Sequence, residues 1–190
     1  MKSGPILVFD CFGVFCGDPM VEFFRRHYGP DSAPLKDSFC DGADLGNVSF
    51  DDVIRRMHDE LGLDIPTVLA ELKEIGKPNL DMIQFVKELR KTHPVYLLSN
   101  CMEGLIEHYF EGTKFFDCFD KMYRSYELKL IKPYPEIYQY VMEDLHPSVE
   151  TFFFDDNPRN LPGAESAGMT AVVFEGIDPL KDFLAKKGIL

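Results

Sequence analysis

The chain has 190 residues, of which 45% are hydrophobic and 27% charged, and a formal net charge of −12. This suits one domain, or one domain with a modest insertion, around a full apolar core. The negative charge argues against nucleic acid or an anionic membrane surface as main partner, but leaves phosphorylated small molecules open, because a site can be locally positive.

The first predicted element is a strand in PILVF (5–9). The MKSGPILVFD stretch that carries it turns acidic too early for a secretory signal. Helical patterns follow near 19–28, 50–61, 65–76 and 80–91, with HYGPDSAP (27–34) expected as a turn-rich loop. Ser49 and Asp52 have capping-box spacing ahead of VIRRM. Four more strands are expected: PVYLL (94–98), the more polar KMYRS (121–125), TFFF (151–154) and TAVVF (170–174). Helices over 134–145 and 158–167, started by Pro133 and Asn157, separate the last three. Four of the five runs are nearly all apolar, as in strands buried on both faces. No apolar run approaches the roughly 20 residues of a membrane span.

Strands alternating with helices predict an α/β fold with a parallel, Rossmann-like sheet. One interval breaks the rhythm. More than 80 residues separate the first two strands, where an ordinary crossover needs only about a dozen. Residues 17–78 are therefore expected to form an inserted helical cap. Residues 1–16 and 79–190 would form the core, and GKPNLD (76–81) the return hinge.

The five cysteines (Cys11, Cys16, Cys40, Cys101 and Cys118) are odd in number and contain no CxxC pair. They suggest neither a disulfide framework nor a structural zinc site, and point to a reducing cytoplasm. The histidines lack ligand spacing. Cys11 is expected to face the core, away from its neighbour Asp10. The aromatics Phe23, Phe24, Tyr28, Phe39 and Phe50 fit helix packing better than a ligand pocket.

Polar clusters follow three of the strands: Asp10, then Ser99-Asn100, then Asp155-Asp156-Asn157. In an open parallel sheet, ligands bind beyond the carboxyl ends of the strands at the switch in strand order. Taken singly, each cluster has a plain structural use. Asp10 could cap a turn, Ser99-Asn100 could start a helix, and Lys132 could be a solvated lysine with Lys129 as its rival. Together they point to one ligand centre.

In this order the motifs resemble the haloacid dehalogenase-like (HAD) hydrolase superfamily, in the branch with a type-1 helical cap, and are similar to its small sugar-phosphate phosphatases. The four motifs are Asp10-x-x-Gly13-Val14, LLSN with Ser99, KPYPEIY with Lys132, and FFFDDNPRN with Asp155 and Asp156. The resemblance implies Mg²⁺-dependent hydrolysis of a small phosphorylated metabolite. Asp10 would be the nucleophile and form an aspartyl-phosphate. It also implies metal ligation by Asp10, the Phe12 backbone carbonyl and Asp156. Asp155 and Asn160 would stand behind those ligands. Lys132 would be catalytic and phosphate-binding, with Ser99 and Asn100 completing the phosphate site.

Phe12 departs from the pattern. Most phosphatases of the family carry an aspartate there, which protonates the leaving alcohol and then activates water. Its loss is expected to cost about 10²–10⁴-fold in rate, which a good leaving group such as an anomeric sugar phosphate would offset. Two alternatives follow: a metal-free haloacid dehalogenase-type hydrolase, and a catalytically weak binding or regulatory protein on the same fold. Oligomeric state is not set by the sequence.

Overall fold

In the computed structural model, which describes residues 4–190, five parallel strands form one sheet in the order β3-β2-β1-β4-β5. They are β1 (Ile6–Phe9), β2 (Val95–Ser99), β3 (Lys121–Arg124), β4 (Thr151–Asp155) and β5 (Thr170–Val173). Residues 1–3 of the expected core segment lie outside the described residues. β1 pairs β2 on one side and β4 on the other, with Phe9 opposite both Leu97 and Phe154. The order reverses between β1 and β4, so the switch point falls where Asp10 leaves the sheet.

The alternation of side chains along each strand divides the core into two layers. Leu7, Phe9, Val95, Leu97, Phe152 and Phe154 face one layer. There they meet Met82, Ile83 and Val86 of α5 (Leu80–Leu89) and Leu180 and Leu184 of α10 (Ile177–Lys186). Ile6, Val8, Leu98, Tyr123 and Phe153 face the other layer, against α8 (Pro135–Leu145) and α9 (Leu161–Ser166). The central strands β1 and β4 are buried along their whole length. TAVVF departs from the expectation of two-sided burial: β5 is an edge strand, and its residues are half-buried or exposed. An apolar run at a sheet edge has a partner strand on one side only, which composition does not reveal.

Four helices lie between β1 and α5: α1 (Pro19–Tyr28), α2 (Ala33–Asp44), α3 (Phe50–Leu61) and α4 (Ile65–Ile75). α1 packs on α2 and α4, and α3 packs on the same two. The Ser49/Asp52 capping box forms as the sequence indicates, with both reciprocal bonds present. The region 27–34 is not all loop, because α2 already begins at Ala33 with Pro34 in its first turn. Phe23, Phe24 and Phe39 are buried, and Phe24 lies against Phe39 with ring centroids 5.6 Å apart.

The helical segment leaves and rejoins the sheet-bearing part at one neck. The Asn79 N–H donates to the Phe15 carbonyl at 2.7 Å, and Cys16 bridges Pro78. A second attachment comes from α7 (Ser125–Leu128), just after β3. The buried Ser125 hydroxyl donates to the Asp44 carbonyl at 2.6 Å and accepts from the Cys101 N–H at 3.0 Å. The Lys129 ammonium donates to the Gly46 carbonyl at 2.9 Å. These bonds tie the C-terminal end of α2 to α7 and the residue after it and, through Cys101, to the loop between β2 and α6 (Leu105–Phe110).

Candidate active site

Asp10 follows β1 directly, and its N–H donates to the Phe154 carbonyl at 2.9 Å, so the strand pairing itself fixes its backbone. One carboxylate oxygen accepts from the Cys11 N–H at 2.7 Å. The same oxygen lies 2.7 Å from the Lys132 ammonium. Lys132 also meets Asp155 at 2.7 Å and is only 4% exposed. Asp155 is fully buried and accepts from the Asn157 N–H at 2.8 Å and from the Asn160 amide at 3.0 and 2.9 Å. Carboxylate oxygens of Asp10, Asp155 and Asp156 all lie within 4.8 Å of one another.

Burial, followed by the Asp155 charge, pushes the Asp10 carboxyl well above the usual carboxylate range, against the pull of Lys132. For Lys132, burial acts downward, but the Asp10 and Asp155 charges outweigh it and hold the ammonium above the ordinary lysine value. Asp156 keeps solvent contact. Partial burial of its carboxylate and the charges of Asp155 and Asp18 push it up to about 6.

Two small features make this crowding possible. Gly13 has φ +83°, and a Cβ there would fall on the Asp156 carboxylate. Only glycine allows Asp156 to close against the loop after β1. Asn100 grips the Lys132 backbone in both directions: it accepts from the Lys132 N–H at 2.8 Å and donates to the Lys132 carbonyl at 2.9 Å. The lysine is thus held by its main chain as well as by its two carboxylate partners.

The structure separates the two candidate lysines. Lys132 meets Asp10, whereas Lys129 turns to the Gly46 carbonyl. Asp10, Phe12, Asn100, Lys132, Asp156 and Asn160 line one cavity of about 420 Å³. Ser99 is fully buried one residue behind the lining, and its hydroxyl donates to the Asn100 carbonyl at 3.2 Å. Phe12 is 7% exposed and lies edge-on to Tyr109, with ring centroids 6.2 Å apart. Cys11 points into the core, where burial raises its thiol pKa well above the ordinary value.

Sequence reasoning missed the acidic part of the cavity lining, which is built by Asp18 and by Lys36, Asp37, Asp41 and Asp44 of α2. A signal was present. Asp37, Asp41 and Asp44 recur at i, i+4 and i+7, which puts three carboxylates on one helical face. Reading 27–34 as a loop hid that helix.

A parallel α/β sheet with a carboxylate–lysine centre at its switch point defines the class of protein. The chain belongs to the haloacid dehalogenase-like hydrolase family, whose model matches residues 6–168. A D-ribitol-5-phosphate phosphatase from Bacteroides thetaiotaomicron is 34% identical over 127 residues, covering 61% of this chain and 61% of its own length. A crystal structure of a HAD family enzyme from the same organism superposes with a TM-score of 0.75 at 24% identity, covering 96% of this chain and 99% of that one. That enzyme in complex with magnesium and inorganic phosphate gives a TM-score of 0.70 at 22% identity, covering 90% and 94%. Among the described residues, no helix is long and apolar enough to cross a membrane.

Proposed function

We propose that the protein is a Mg²⁺-dependent phosphatase that hydrolyses a small phosphate monoester, such as a sugar or polyol phosphate, through an aspartyl-phosphate at Asp10. The observation that carries this reading is the convergence of Asp10, Asp155 and Asp156 within 4.8 Å beside Lys132, where Asp10, Lys132 and Asp156 line a cavity. Three carboxylates with one ammonium leave a surplus of negative charge that a hard, oxygen-seeking divalent cation would neutralise. The residues therefore fit Mg²⁺, with Asp10, Asp156 and the Phe12 carbonyl as its ligands. Asp155 is already engaged by Lys132, Asn157 and Asn160, which suits it to orient the centre from behind. When bound, the ion supplies Lewis-acid charge neutralisation for the attack of an anion on an anion. A metal-free dehalogenase would have to keep the same three carboxylates together without that compensation.

In this reading the second Asp10 oxygen attacks phosphorus while Lys132 holds the first, the ester P–O bond breaks and the alcohol departs, and water then cleaves the aspartyl-phosphate to release inorganic phosphate and restore Asp10. Lys132 also offers fixed positive charge to the transferring group. Asn100 keeps Lys132 in place, and to donate to a phosphate oxygen the Ser99 hydroxyl would have to leave the Asn100 carbonyl and reach the cavity from behind its lining. Among the described residues, 4–16 and 79–190 would form the core and 17–78 the cap that shields the site. Five free, buried cysteines fit a cytoplasmic enzyme. The D-ribitol-5-phosphate phosphatase relative and the magnesium–phosphate complex support the same reading.

The Phe12 side chain is apolar and carries no proton for a leaving alcohol. Turnover is therefore expected to fall steeply as the leaving group becomes more basic. A series of aryl phosphates of graded leaving-group pKa, assayed with Mg²⁺ and with a chelator, tests the proposal. Magnesium-dependent turnover that disappears in Asp10→Asn is the expected result. Phosphate binding without turnover of any member would overturn it.

A further inference from the structure

Part of the cavity lining comes from the helical segment. Asp18 caps α1, accepting from the Val21 N–H at 2.9 Å, while α2 contributes Lys36, Asp37, Asp41 and Asp44. Most of these groups have local partners. Lys36 pairs with Asp37 at 2.8 Å, and Arg159 reaches the same Asp37 at 3.9 Å. Asp44 differs. It is 8% exposed and lines the cavity, yet its carboxyl makes no hydrogen bond among the described residues. Its backbone, by contrast, is pinned to the sheet-bearing part through Ser125. The nearby Lys36 charge offsets only part of the burial of this carboxyl, and a nearly buried carboxyl without a hydrogen bond gains from a donor that enters the cavity. Here the carboxyl opens on the same space as the reaction centre, at a fixed position.

The chemistry of the wall limits what can fill that space. Four carboxylates against Lys36 and Arg159 disfavour a leaving group that carries its own carboxylate or second phosphate. An apolar leaving group would leave Asp44 unsatisfied. A hydroxyl meets both requirements, because it donates to a carboxylate and, where the acid is protonated, also accepts from it. Burial holds the Asp44 carboxyl up to about 7, which makes both forms accessible near neutrality.

Resting on the phosphatase reading above, we infer that Asp44 is the specificity residue of this site and hydrogen-bonds a hydroxyl of an uncharged, polyhydroxylated leaving group. Ser125 is its positioning residue. The carboxyl receives the part of the substrate that departs, while Asp10, Lys132 and the Mg²⁺ ligands handle the phosphoryl group.

The test uses the full chain with Mg²⁺ and compares kcat/KM for hexose 1-phosphates, whose anomeric leaving group needs little protonation, with kcat/KM for para-nitrophenyl phosphate, which has no aliphatic hydroxyl. The ratio of the two is independent of how much of a variant folds, because both substrates meet the same active fraction. Asp44→Ala is expected to lower that ratio at least tenfold. Asp44→Asn, which keeps an acceptor and a donor, should lower it less. Ser125→Ala should lower it in the same direction with a smaller step. An unchanged ratio in Asp44→Ala, or a wild-type preference for carboxylated or doubly phosphorylated sugars, overturns the inference while the phosphatase reading stands. Wild-type protein that hydrolyses para-nitrophenyl phosphate but no neutral sugar phosphate overturns it equally. Absence of all turnover, including para-nitrophenyl phosphate, overturns both readings.

Discussion

Replacing Lys132 with methionine keeps the aliphatic length of the side chain and removes its charge. Lys132 lies 2.7 Å from Asp10 and 2.7 Å from Asp155, and these three side chains are almost completely enclosed. Without the ammonium, two buried carboxylates face each other with Asp156 close by. Breaking a buried ion pair from one side costs about 3–5 kcal/mol. For a chain of this size each kcal/mol is worth about 2–4 °C, so Lys132→Met is expected to melt about 6–20 °C below wild type in EDTA at pH 7.5. The direction of the pH dependence follows from Asp10. Its folded-state pKa is already raised, and loss of Lys132 raises it further. The destabilisation is therefore complete above that folded pKa and is relieved as pH falls toward the unfolded value and Asp10 takes up a proton. Saturating Mg²⁺ should recover part of the loss by supplying another counter-charge. Circular-dichroism melts at pH 5 and 7.5, with EDTA and with Mg²⁺, measure all of this. A variant that melts within about 2 °C of wild type in EDTA at pH 7.5 would refute the electrostatic reasoning, since even about 1 kcal/mol would move the midpoint further.

Gly13→Ala places a Cβ on the Asp156 carboxylate at a left-handed backbone position. It should abolish the rise in melting temperature produced by Mg²⁺, read by a metal titration of the melt, at a strain cost of about 1–2 kcal/mol. Ser125→Ala leaves the Asp44 carbonyl and the Cys101 amide without their shared partner, and should cost about 1–3 kcal/mol in urea unfolding. Asp44→Asn removes a carboxyl that burial holds up to about 7. A raised acid is destabilising once ionised, so the variant should gain on wild type as pH rises from 5 through 7 to 8.5, by a few kcal/mol. Parallel melting curves at all three values would contradict this.

The near face of the site was legible in the sequence because its residues sit at strand ends, where strand, turn and chemistry coincide. Asp10, Asn100 and Asp156 each follow a short apolar run, and the switch in strand order brings two of those ends together. The choice between Lys129 and Lys132 was not legible by spacing alone. It depends on the Asn100 side chain bonding to the Lys132 backbone and on Gly46, 83 residues away, offering its carbonyl to Lys129. The exposure of TAVVF depends on which strand takes the edge, a property of the whole sheet. The acidic wall was hidden by local composition: Gly29, Pro30 and Pro34 suggest a loop, while the apolar positions Phe39, Cys40 and Ala43 that bury α2 lie further along the chain.

The double attachment of the helical segment bears on how material enters and leaves. A lid that swung on the Phe15–Asn79 neck would have to tear the Ser125 and Lys129 bonds from the end of α2 at each opening. Opening on that neck therefore carries the loss of the buried Ser125 bond and the exposed Lys129 bond as part of its cost. The helical segment is thus held at two places, and any opening on the first must release the second.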